Sequence, residues 1–361
     1  MNEIIFQRLL ALVNSALWNK KIDENIFIPM DDKQWTDLYR FSIRNGVMAI
    51  TFDGLSSLPS KLQPPLKLKM AWGLSTEQVE RKYTHTLNVA TELQELFQKE
   101  QINMLVFKGL NLSTYYPIPA HREFGDIDIY LFGDHKKGNL LMENAGAKGK
   151  DNYKYNYKHS NYYYKNIMIE NHAYFLNVRD SKKLLKLNRQ LLDILKGTQN
   201  KQEEKLLFPS PDFTALFFII HAIRHLSANA LPLRAYCDWA LFLQAHAQEL
   251  DTDRWKESLH EAGLLDIAET LTTLAFRWLK IPSSTPFPVQ KHTEKEDLIY
   301  KKMLQPFYSK SQNTNIWKVF IYRRKQYKLF FNGSFFIYCL NLLPALFMRY
   351  MFNIRKRFKT K

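Results

Sequence analysis

Apolar residues recur every three to four positions over residues 1–18 and 34–57, the spacing of helices with one buried face. Pro59, Pro64 and Pro65 interrupt that period. Residues 66–100 resume it as one long helix, with Glu77, Glu80, Arg81 and Lys82 along a polar side. The first hundred residues thus predict an all-α lead-in. The character changes at residue 102. A short apolar run, 102–107, ends at Lys108-Gly109, and a helix-like stretch, 110–116, is closed by Pro117 and Pro119. Residues 126–131 alternate apolar with polar positions, as a half-buried strand does. Residues 135–147 predict another helix. Residues 153–175 predict an antiparallel strand pair: Tyr153, Tyr155 and Tyr157 alternate with Lys154, Asn156 and Lys158, and 167–170 form the second run, with the connection near 159–161.

From 181 onwards the helical period returns. Ser210-Pro211 is a helix start, with serine as N-cap and proline at the first helical position. That helix runs to about Leu226, another spans 233–248, and more follow to Leu279, where a Ser/Thr/Pro stretch at 282–288 reads as a linker. The expected fold class is α+β, a small mixed sheet between helical N-terminal and C-terminal regions. The expected division is a helical lead-in (1–100), a catalytic core (101–180), a helical domain (181–280), then a linker with a basic, apolar tail (281–361).

Composition changes this picture in two places. The cysteines, Cys237 and Cys339, are too few and too far apart for a disulfide framework or a zinc cluster. The N-terminus lacks a signal-peptide pattern, so a cytoplasmic protein is expected. The net charge of +16 is uneven: no Asp or Glu follows Asp297, while 298–361 holds 14 Lys and Arg, which leaves about +2 for the rest. The basic character therefore belongs to the tail and is weak evidence for nucleic-acid binding by the body. Residues 330–347 are apolar but contain Asn332, Gly333, Ser334, Asn341 and Pro344, too short and interrupted for a regular span. Burial on the body and peripheral contact with acidic lipids at the inner face of the membrane both stay open, and nucleic acid is the weaker alternative.

The chemistry concentrates between residues 105 and 172. On strand 126–131, Asp126 and Asp128 share a face, roughly 6.5–7 Å apart along the chain. Two such carboxylates repel unless a cation lies between them. Mg²⁺ or Mn²⁺, shared with substrate phosphates, fits that pattern. Glu170, a lone acid in an apolar run, is the candidate third carboxylate, and His172 shares its face. Lys108, Gly109 and Arg122 are candidates for holding a nucleotide's phosphates. His221 and His225, four apart, could face a metal, but no HExxH accompanies them, and they are placed instead between helices and catalytic sheet. Arg234 and Asp238, at i and i+4, read as a local ion pair.

Lys108-Gly109, Tyr116-Pro117, Arg122 and Gly125-Asp126-Ile127-Asp128, in that order, resemble an uncharacterised bacterial nucleotidyltransferase family of the polymerase β superfamily, often found in polysaccharide gene clusters. Glu170-Asn171-His172, a helical histidine (His221 or His225), Leu233-Arg234 and Asp238 extend the resemblance over roughly 5–280. The wider superfamily carries Gly-Ser or Gly-Gly where this chain has Lys108-Gly109. The resemblance implies a polymerase β type of sheet and metal-dependent transfer of a nucleoside monophosphate from an NTP to an acceptor. Asp126, Asp128 and Glu170 would hold the metal, and Lys108, Gly109, Arg122 and His172 would contact the nucleotide. The acceptor it suggests is a sugar or lipid-linked precursor of a surface polysaccharide. Protein AMPylation, an antitoxin-like role, or an inactive nucleotide-binding scaffold are the alternatives.

Overall fold

The computed structural model describes residues 3–28, 30–149, 157–179, 181–196, 198, 206–228, 230–282, 287 and 292–304. The tyrosine run 153–156, the apolar stretch 330–347 and nearly all of the basic tail lie outside the described residues. Helices α1 (Glu3–Trp18), α2 (Asp32–Arg44), α3 (Met48–Leu55) and α4 (Leu66–Lys99) form the lead-in. The helical stretch expected over 34–57 is two helices. The break at Asn45-Gly46 has a structural purpose: Gly46 sits at φ +64°, and buried Asn45 receives two backbone N–H groups from a distant helix, Leu233 on its side-chain oxygen (3.1 Å) and Arg234 on its carbonyl (3.1 Å).

The sheet holds five strands: β1 (Leu105–Phe107), β2 (Asp126–Tyr130), β3 (Lys148–Gly149), β4 (His159–Tyr164) and β5 (Ile167–His172). Their order is β1-β2-β5-β4-β3, and the β2–β5 pair is parallel while the others are antiparallel. Between strands lie the short α5 (Gly109–Ser113) and α6 (His135–Asn144). The hairpin turn is not at 159–161, which lie inside β4. It is at Lys165-Asn166, where both residues have positive φ (48° and 65°), as a two-residue turn between twisted strands demands. Asparagine tolerates that conformation, but lysine is not a turn signal, so the sequence pattern missed it.

Five helices complete the body before the last: α7 (Lys182–Leu195), α8 (Pro211–Ala228), α9 (Leu233–His246), α10 (Thr252–Ala262) and α11 (Leu265–Leu279), followed by α12 (Glu294–Leu304). Ser210 Oγ accepts the Phe213 N–H at 3.4 Å, as the N-cap reading expects. Among the described residues no helix is long and apolar enough to cross a membrane.

Strand alternation decides which way the chemistry faces. Ile127 and Ile129 of β2 and Ile167 and Ile169 of β5 pack with Val89, Leu93 and Phe97 of α4 and Met142 of α6. Their neighbours Asp126, Asp128, Met168, Glu170 and His172 must then point to the opposite face. On that face Phe107 meets Phe175, Phe213 and Phe217 edge-on, at 5.2–6.3 Å between ring centres. The polar face of the sheet is thus roofed by α8 and α9, and a cavity forms between them. α4 spans about 50 Å at 1.5 Å per residue. Its first half, with Trp72, joins the helical core, and its second half backs the sheet.

A carboxylate–histidine cluster under a basic roof

The parallel register of β2 and β5 sets Asp128 opposite Glu170. His172, two residues on, turns its Nε2 back to both carboxylates, at 2.9 Å from Asp128 Oδ1 and 3.4 Å from Glu170 Oε2. One ligand atom from each of the three lies within 4.8 Å of the others. Asp128 and His172 are almost wholly buried, and Glu170 opens partly to the cavity. His159 of β4 stacks on His172 with 5.0 Å between ring centres, and its Nδ1 is 3.9 Å from Glu170.

Lys108 is the cation inside this cluster. Its Nζ donates to Asp128 and lies 3.9 Å from Glu170. Its backbone sits at φ +63°, ψ −114°, a conformation that L residues adopt at a cost. That turn between β1 and α5 aims the side chain back across the strand ends. Gly109, expected to let a phosphate approach, lines the cavity, and it also makes room for a ring: a Cβ there would lie 3.3 Å from Phe124. α5 has only five residues, so its N-terminus adds little dipole.

The electrostatics split the acids. Burial would raise Asp128, but the charge of Lys108 and the His172 hydrogen bond outweigh it and hold this carboxyl well below its usual range. Glu170 is also lowered, burial again being outweighed by His172. Asp126 goes the other way. Burial first, then the charge of Asp128, push it to about 6. It lines the same cavity but stands outside the close cluster of three. The structure therefore brings Asp128, Glu170 and His172 together, with His172 among the donor atoms where a nucleotide contact was expected.

Arg122 is tied down more firmly than expected. Its Nε and Nη2 donate to both oxygens of Asp238 on α9, at 2.8 and 2.9 Å, and Tyr116 donates to the same carboxylate at 2.6 Å. Burial alone would lower the guanidinium, but the Asp238 carboxylate raises it above its usual value. Asp238 thus pairs across 116 residues, and the local Arg234–Asp238 ion pair is not what forms. Arg234 instead donates to the Glu123 carbonyl at 2.5 Å. Arg122 keeps one group free: its buried Nη1 has no hydrogen-bond partner among the described residues, and Arg122 lines the cavity.

The cavity has a volume of about 330 Å³. Its floor carries Lys108, Asp126, Asp128 and Glu170, and its roof carries His221, Arg224 and His225 of α8 with Arg234 of α9. His225 Nε2 and His221 Nε2 are 2.9 Å apart. Burial and the nearby cations push both imidazoles down, His225 to about 4. Sequence reasoning singled out the two histidines but gave them no partner, and it missed His159 and Arg224. Nothing local marks those residues, because the neighbours that give them meaning lie on other elements. A second cleft of about 490 Å³ lies between α4 and the 206–208 segment, lined by Tyr83, Leu87, Glu92, Glu95 and Phe208 and by none of Asp126, Asp128 or Glu170.

A family model described as an uncharacterised nucleotidyltransferase matches residues 31–280, more than half of the chain. No curated protein and no solved structure matches.

Proposed function

The chain belongs to that uncharacterised nucleotidyltransferase family, and from this premise we propose that the cavity binds a metal–NTP complex and transfers a nucleoside monophosphate to a hydroxyl acceptor. The observation that carries the reading is that one cavity is lined by the cluster of Asp128, Glu170 and His172, with Lys108 inside it, and by the further cations Arg122, Arg224 and Arg234. A triphosphate needs both sides: a cation shared with carboxylates, and fixed positive charge for the remaining phosphate oxygens.

The donor set fits a divalent ion. Two carboxylates and an imidazole converge within coordination reach. Mg²⁺ or Mn²⁺ would be held by Asp128, Glu170 and His172, with Asp126 alongside. Bound there, such an ion would draw charge from the phosphate oxygens and steady the leaving pyrophosphate.

The chain's own residues do the positioning. Asp128 anchors Lys108 and His172 at fixed angles, so the cluster keeps its shape. Lys108 can turn from Asp128 to a phosphate oxygen when another cation takes over the carboxylate. Arg122, fixed by Asp238, offers its unpaired Nη1 from a rigid mount. Asp126 and Glu170 border the cavity and can receive the acceptor's hydroxyl proton. Rate enhancement in such a site comes from alignment and prearranged charge. The acceptor is read as a sugar or lipid-linked sugar on family resemblance alone.

Incubating the protein with each α-labelled NTP, Mn²⁺ or Mg²⁺, and sugar, lipid-linked sugar or protein acceptors tests the reading. Pyrophosphate release with a labelled product, lost in Asp128→Asn, is the expected result. Metal-independent NTP binding with no turnover on any acceptor would favour a scaffold. Labelling of protein would favour AMPylation.

A further inference from the structure

Two histidines on α8 stand outside the carboxylate–histidine cluster. His221 and His225 are one helical turn apart, with Nε2 atoms 2.9 Å from each other. At that distance one nitrogen must donate and the other accept, so the two Nε2 atoms share a single N–H across the gap and the pair cannot be doubly charged. Both side chains line the cavity. The groups facing them from every packed element are cationic on the near side: Lys108 after β1, Lys158 before β4, Arg224 on α8 itself, and Arg234 on α9. The acids Asp126, Asp128, Glu170 and Asp238 line the same cavity. A protein that needed only fixed positive charge here would gain more from arginine. A neutral imidazole pair among cations is a different device, one that becomes charged only when negative charge arrives.

We propose that His221 and His225 form a proton-loading polyphosphate site: the pair takes up a proton from solvent when the pyrophosphate portion of a nucleotide enters the cavity. This rests on the reading of the cavity as an NTP site and deepens it. In the free protein desolvation, then the charges of Lys108 and Arg224, disfavour a charge on the pair, although His225 reaches the surface. A single negative charge about 5 Å away, at an effective dielectric of about 20, raises an imidazole by about two pH units. A polyphosphate carries several such charges. With His225 starting at about 4, two or more charges bring the pair into the neutral range. One proton then binds the pair, one imidazole becomes imidazolium, and its N–H groups can donate to phosphate oxygens. The free cavity avoids adding a further charge to a crowded basic wall. The occupied cavity gains one when it is useful. Discharge of pyrophosphate would return the proton, so release is assisted by the same switch.

The test is calorimetric titration of inorganic pyrophosphate with Mg²⁺, at pH 7, in two buffers of different ionisation enthalpy. Wild type is compared with the double variant His221→Gln/His225→Gln and with Lys158→Met, which removes the other near-neutral group of this basic cluster. Circular dichroism and a thermal melt check that each variant is folded. The expected result is net proton uptake of about half to one proton per pyrophosphate in wild type and Lys158→Met, falling towards zero in the double variant. Wild-type affinity should weaken up to about tenfold per pH unit between pH 7 and 8, and the double variant should be flatter. Pyrophosphate binding with no uptake, or uptake unchanged in the double variant, overturns the proton-loading proposal and leaves the NTP reading intact. No binding of pyrophosphate or of any NTP by folded wild type overturns both.

Discussion

Removing the Asp238 carboxylate should destabilise the whole body, because this one side chain answers three buried donors. Asp238→Ala leaves Arg122 Nε and Nη2 and the Tyr116 hydroxyl without the acceptor they now share at 2.6–2.9 Å. Breaking a buried ion pair from one side costs about 3–5 kcal/mol, since the remaining charge stays buried without its counterion. A lost hydroxyl hydrogen bond adds about 1 kcal/mol. The expected total is about 4–6 kcal/mol, at the upper end of single substitutions. Urea unfolding followed by tryptophan fluorescence reads it, and Trp239 stands next to the mutated position. With a slope of about 3 kcal/mol per molar, the midpoint should fall by more than about 1 M. The double variant Arg122→Met/Asp238→Leu should recover most of the loss, as apolar replacement of a buried pair is often near neutral. A loss below about 1 kcal/mol in Asp238→Ala would refute the reasoning. So would a double variant worse than either single.

Three further outcomes follow from packing and charge. His121 bridges Asp53 (2.7 Å) and Glu80 (2.8 Å) and thereby joins the 119–121 turn to α3 and α4. Although burial opposes it, these carboxylates raise the imidazole's pKa above its usual value. A raised histidine stabilises fully below about pH 6.5 and loses that contribution as pH rises through its folded value. The wild-type advantage over His121→Gln, about 1–2 kcal/mol at pH 6 by urea midpoint, should therefore shrink towards pH 9. Gly54→Ala should destabilise by about 2 kcal/mol despite better helix propensity, because a Cβ would lie 2.3 Å from the Leu12 carbonyl oxygen where α1 crosses α3. A thermal melt equal to wild type would contradict that crossing. Asn45→Ala should cost about 1–2 kcal/mol, since it removes the side-chain oxygen that receives the Leu233 N–H. Faster amide exchange confined to the start of α9 is the signature to look for.

Periodicity carried the helices, the alternation of β2 and the face on which its acids lie. Asp126-Ile127-Asp128 is legible because a strand's period of two needs no knowledge of neighbours. Glu170 stood out as a charge in an apolar run, and the register that puts it opposite Asp128 explains why the chain tolerates it there. The misses share one cause. Asn45 breaks a helix for the sake of Leu233, 188 residues away. Asp238 has a local partner available in Arg234 yet pairs with Arg122. The His221–His225 pair acquires its character from Lys108 and Lys158 on other elements. Each of these residues is set by tertiary neighbours that one-dimensional spacing does not encode. The Lys165-Asn166 turn failed for a smaller reason: its positive φ at lysine is imposed by the strands it joins.

The central claim is that Asp128, Glu170 and His172 hold a divalent cation together with an NTP under the basic roof. The most direct measurement is calorimetric titration of ATP, CTP, GTP and UTP, with Mn²⁺, with Mg²⁺ and with neither, on wild type, Asp128→Asn and Glu170→Gln. The account predicts metal-dependent binding of at least one NTP by wild type, lost or weakened at least tenfold in both variants. NTP binding that is equally tight without metal and unchanged in Asp128→Asn would contradict it.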